Sequence, residues 1–147
     1  MSIVDSTLQT NVIPTPFYFY RLFDGCTAIK DASGLILPAE ELPNDCYNKM
    51  FYKCTNLTKG PDMSAVRIIG EASCQEMFSS CGNLTEIIDM PNVTLIEKKG
   101  CQSMFASCTT LVKAPNMPNL MTVQEYGCVY MYSGCKALKT VPPLTAQ

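Results

Sequence analysis

The 147-residue chain has no histidine, only 16% charged residues and a formal net charge of -2. Without histidine, neither a Ser-His-Asp triad nor imidazole acid–base catalysis is available. A chain so close to neutral offers no basic patch for neutralising phosphates, which argues against nucleic-acid binding. No apolar run reaches the roughly 18 residues of a membrane span. The opening stretch MSIVDSTLQTNVIPTPF lacks a positive n-region and an apolar h-region, so no signal peptide is read. The glycines are scattered and make neither G-x-G-x-x-G nor a P-loop, and no carboxylate pair is singled out. The expectation is a protein that is not an enzyme, with no cofactor and no metal.

What the chain does have is 47% hydrophobic residues and nine cysteines. That density suggests a disulfide scaffold in a short secreted chain, an inference weakened where no export signal is read. The odd count leaves at least one thiol per chain unpaired. The cysteines also mark a period. Cys26, Cys54, Cys81, Cys108 and Cys135 are spaced by 28, 27, 27 and 27 residues. Three positions before each stands an aromatic (Phe23, Phe51, Phe78, Phe105, Tyr132), preceded by Leu22, Met50, Met77, Met104 or Met131. Three positions after comes Ile29, Leu57, Leu84, Leu111 or Leu138, and further on Val66, Val93 and Leu120, then Ile69, Ile96 and Val123.

Such self-similarity predicts a repeat solenoid, since one unit cannot bury its own apolar face and stacked units can. Residues 1–18 are read as an N-terminal arm or cap. Residues 19–147 are read as five repeats, at about 19–45, 46–72, 73–99, 100–126 and 127–147. Cys74, Met77, Phe78 and Cys81 fall at i, i+3, i+4 and i+7, so a short helix of about two turns is expected in each unit. LTEIIDMP and LVKAPNMP read as extended chain punctuated by proline, and VTLIE and LMTVQ as a second short strand. The fold class expected is thus leucine-rich-repeat-like: short parallel β-strands with short helices.

The stretch VRIIGEASCQEMFSSCGNL resembles the BspA-like leucine-rich repeats, and the resemblance extends over about residues 19–147. The unit is longer here, with extra residues before Met-Phe. The resemblance implies a parallel-strand solenoid of the kind found in bacterial surface proteins, adhesins and phage-encoded proteins. It brings no catalytic residues.

Three roles for the cysteines compete. A metal site needs converging thiolates from closely spaced pairs, whereas these lie seven apart with Met-Phe between. On a helix that spacing separates the Cα atoms by roughly 10 Å, too far for a disulfide within a unit. Between units, strands about 4.8 Å apart would let Cys81 meet Cys108. The preferred role is as small buried hydrophobes, because Phe19 and Tyr47 share the column of Cys74, Cys101 and Cys128. Aromatics pack, but neither ligate nor crosslink.

Charge has to be read between units. One column runs Asp31, Lys59, Glu86, Lys113, and another Glu71, Lys98, Glu125; both alternate in sign, as a register device would. A third, Asp62, Asp89 and Asn116, reads as a solvated turn ladder in preference to a cation site.

The ends point to a partner. CKALKTVPPLTAQ carries no polar cap, and an open edge backed by apolar surface invites pairing. Phe17, Tyr18, Phe19 and Tyr20 are consecutive aromatics, read either as a cap or as an anchor into an assembly. The expected function is a structural or interaction subunit of a phage virion, on the capsid or tail. Its partners would be particle subunits or further copies met through the solenoid ends, with a cell-surface glycan or protein as a further binding target. The alternative is a bacterial cell-surface adhesin or ligand-binding module.

Overall fold

The computed structural model describes residue 13 and residues 15–143. Most of the expected arm, and the last residues of the fifth repeat, lie outside the described residues.

Four two-residue strands, β1 (Glu41–Leu42), β2 (Ile68–Ile69), β3 (Leu95–Ile96) and β4 (Thr122–Val123), form one parallel sheet in the order β1-β2-β3-β4. The register pairs Glu41 with Ile68, Ile68 with Leu95 and Leu95 with Thr122, so each strand sits beside its counterpart one repeat on. Parallel strands need a long connection, and here the rest of each unit supplies it. A second line of parallel bridges joins Asp31 to Lys59 and Lys59 to Glu86. The arrangement is β-rich and repeat-like.

The helices expected in each unit do not form; none occurs among the described residues. The segment around Cys74–Cys81 is instead a coil of consecutive tight turns. Ser73, Met77 and Cys81 donate their N–H groups to the carbonyls three residues back, on Gly70, Cys74 and Phe78. Ala72, Glu76 and Ser80, the third residues of those turns, have left-handed φ values of 52°, 51° and 65°, as type II turns require. The alternate N–H groups leave the unit altogether. Ala72, Cys74, Glu76, Phe78 and Ser80 donate to Lys98, Gly100, Gln102, Met104 and Ala106 of the next repeat. An α-helix would have kept those donors inside the segment. Left-handed residues recur at the same places in every unit, and the outermost units put Gly25 (φ 70°) and Gly134 (φ 76°) there, where glycine carries no Cβ penalty.

The core is built of columns. Phe23, Phe51, Phe78, Phe105 and Tyr132 stack face to face, with centroids 5.1, 5.5, 5.4 and 5.7 Å apart. Each such pair contributes about 0.5–1.5 kcal/mol beyond area burial. Met50, Met77 and Met104, Leu57, Leu84 and Leu111, and Ile69 and Ile96 are wholly buried beside them. Close approach of neighbouring units also restricts side-chain size. A Cβ on Gly70 would run into the carbonyl oxygen of Leu42.

Candidate interaction surfaces

The anchor cysteines are more than filler. Cys54 Sγ donates to the Phe23 carbonyl oxygen at 3.0 Å, Cys81 to Phe51 at 3.0 Å, Cys108 to Phe78 at 3.1 Å and Cys135 to Phe105 at 3.0 Å. Each of these four acceptors sits in the repeat before and also receives the N–H of the anchor cysteine three residues on in its own unit, so the thiol occupies its second lone pair. Cys101, in the other cysteine column, is equally buried and makes no such bond. All nine cysteines are free thiols. Burial pushes Cys54 up to about 11 and Cys74 and Cys108 to about 12, and raises Cys81 and Cys135 as well. A thiol held neutral and out of water is a poor nucleophile and a poor metal ligand.

The four aromatics before the first anchor divide. Phe19 is buried and stacks on Tyr47 at 5.8 Å, while Phe17, Tyr18 and Tyr20 face solvent. The expected anchor is therefore one core residue and three exposed rings.

The charged columns are only partly joined. Lys59 pairs with Glu86 at 3.6 Å and Lys98 with Glu125 at 3.2 Å. Lys113 turns from Glu86 to Asp89, at 3.2 Å from both carboxylate oxygens. No ion pair joins Glu71 to Lys98, or Asp31 to Lys59, among the described residues. Two pairs that the sequence reading missed, Lys49–Glu76 at 3.5 Å and Arg67–Glu40 at 3.6 Å, are also 27 residues apart and were open to the same reading.

Sequence reasoning also passed over a ladder of side chains that bond the backbone of the preceding unit. Thr58 and Thr85 donate through Oγ1 to the carbonyls of Lys30 and Thr58; Asn92 and Asn119 donate through Nδ2 to those of Ser64 and Pro91. The turn-ladder carboxylates accept backbone N–H groups, Asp62 from Ser64 at 2.9 Å and Asp89 from Asn116 at 3.0 Å. The Asn116 bond holds the Asp89 carboxyl below its usual range, with Lys113 adding to the effect.

Beside this ladder runs an open groove of about 400 Å³ whose lining includes Lys59, Glu86, Ile88, Val112 and Lys113. It mixes two ammonium groups, one carboxylate and exposed aliphatic side chains, a surface suited to a polar macromolecule more than to a small apolar ligand. No helix among the described residues is long and apolar enough to cross a membrane. Compared with protein-family models, with curated proteins and with solved structures, the chain has no significant match.

Proposed function

We propose that the chain is a non-enzymatic structural and interaction protein, a five-unit leucine-rich-repeat-like solenoid that serves as a phage virion subunit, decorating the capsid or associated with the tail or fibre. The observation that carries the reading is the division of labour between columns. The cysteines, methionines and phenylalanines of the three middle coils, soft and reactive groups, all face inward. The outward columns carry ion pairs and the mixed groove between Lys59 and Lys113. Such a body has a large repeated surface suited to binding. The resemblance to BspA-like repeats, found in bacterial surface proteins, adhesins and phage-encoded proteins, supplies the setting. The bacterial surface adhesin is the competing placement.

Antibody raised against the chain separates them. Label on particles purified by density gradient from cultures of the source supports the virion reading. Label on intact cells, with none on particles, replaces it with the adhesin. Label on neither refutes both.

A further inference from the structure

The backbone hydrogen bonds that join one coil to the next all run the same way. Phe17, Phe19, Arg21, Phe23 and Gly25 donate to the carbonyls of Asn44, Cys46, Asn48, Met50 and Tyr52, and the same five bonds recur at each junction down to Lys99–Ser107 donating to Glu125–Ser133. The stack therefore has a donor end and an acceptor end. In the fifth coil the equivalent N–H groups belong to Tyr126, Cys128, Tyr130, Tyr132 and Gly134, and none has an acceptor among the described residues. In the first coil the equivalent carbonyls belong to Pro16, Tyr18, Tyr20, Leu22 and Asp24, all exposed, and none receives a donor among the described residues.

Side chains mark the same two faces. Exposed large hydrophobic residues occur in the first coil (Phe17, Tyr18, Tyr20, Leu22) and the fifth (Tyr126, Tyr130), and in none of the three coils between. The residue types change at the ends as well, along columns that keep the same left-handed backbone in every coil. One such column reads Phe17, Asp45, Ala72, Lys99, Tyr126, aromatic only at its ends. Another reads Arg21, Lys49, Glu76, Ser103, Tyr130.

We infer that the fifth coil of one copy docks on the first coil of a second copy, repeating the junction that joins the coils within a chain. The five free N–H groups meet the five free carbonyls in the existing register, Tyr132 continues the ring column onto Phe23, and Tyr130 lies beside Arg21 of the second copy. An interface between unlike faces cannot form a two-fold dimer, and one that repeats the stacking step continues the stack as a linear series. The inference rests on the interaction-protein reading and names its partner as the chain itself.

Sedimentation velocity on the full chain, from about 1 to about 200 µM, tests it. The weight-average mass should rise past the dimer without a plateau. Tyr130→Arg, at a site 69% exposed in the single chain, sets like charges against Arg21 and should weaken association at least tenfold, with circular dichroism unchanged. Adding Arg21→Glu to that variant should restore it. A monomer at every concentration, a plateau at the dimer, an unaffected Tyr130→Arg variant or an unrescued double variant would each overturn the inference. Particle labelling is scored separately, so a monomeric chain found on virions refutes the docking alone. A self-associating chain found on neither particles nor cells refutes the functional placement alone.

Discussion

Serine replacement at Cys101 and at Cys108 separates packing from hydrogen bonding. The two residues lie in one repeat, both are wholly buried, and only Cys108 has an acceptor, the Phe78 carbonyl at 3.1 Å. Alanine at either site removes one sulfur from the core and should cost about 1–2 kcal/mol. Phe78 is not orphaned by Cys108→Ala, because its carbonyl still receives the Cys81 N–H at 3.0 Å. Serine adds a hydroxyl to that loss. At position 101 the hydroxyl has no acceptor, and burying it unpartnered costs a further 1–3 kcal/mol or about that. At position 108 it donates to Phe78 and recovers about 0.5–1 kcal/mol. The difference between serine and alanine should thus have opposite signs at the two sites, serine being worse at 101 and better at 108. Urea denaturation at neutral pH under reductant, compared at constant m, reads this directly. Equal serine penalties at the two sites would refute the thiol–carbonyl bond as a reason for the anchor cysteine.

Stability should hold to pH 9 and then fall. Cys74 and Cys108 keep their protons to about 12 in the folded chain against 9.0 unfolded, so above pH 9 the unfolded state binds fewer protons. The two together give a loss of roughly 3 kcal/mol per pH unit at most; a melting temperature flat from pH 8 to 11 would contradict the burial. Tyr47→Phe should stabilise by about 1 kcal/mol, since the Tyr47 hydroxyl is buried without a partner, and an unchanged urea midpoint would show that the hydroxyl is satisfied. Gly25→Ala should destabilise by about 1 kcal/mol through φ alone, no atom lying within 4 Å of the added Cβ. Glu86→Lys should lower stability by only a few tenths of a kcal/mol, about, at low salt, with the loss vanishing at high salt if the Lys59 pair causes it.

The columns were legible because stacking makes residues 27 apart neighbours, and neighbours in a core must be compatible in size. The coil was not. An α-helix at 3.6 residues per turn and a coil whose left-handed residues recur every fourth position both turn Cys74, Met77, Phe78 and Cys81 inward. Hydrophobic period cannot separate them. What differs is the destination of alternate N–H groups, and its only trace in sequence is the left-handed columns. Those hold residues as varied as Asp45, Lys49, Glu76 and Ser80, with glycine confined to Gly25 and Gly134. The misplaced partner of Lys113 has a local cause. Asp89 is fixed by the Asn116 N–H at 3.0 Å, which sets its carboxylate beside the ammonium group before Glu86 can compete.

The one irregular spacing follows from the same bonds. Cys26 and Cys54 are 28 residues apart, one more than the later anchors. The extra residue cannot sit in a coil. There, alternate N–H groups point along the stack and the others close turns, so a slip of one residue would exchange the two sets and break every bond to the next unit, much as a register slip inverts a strand. The pairings locate it. Asp31 bridges Lys59, 28 residues on, while Glu41 pairs with Ile68, 27 on. The surplus is absorbed between them, where Ile36 bulges to solvent, half exposed, and bridges Asp62. Only the extended segment has bonds sparse enough to take an added residue without passing the shift along. It follows that length variation among units of this kind belongs in the segment after the anchor, and that the coil is the part of the repeat that fixes its period.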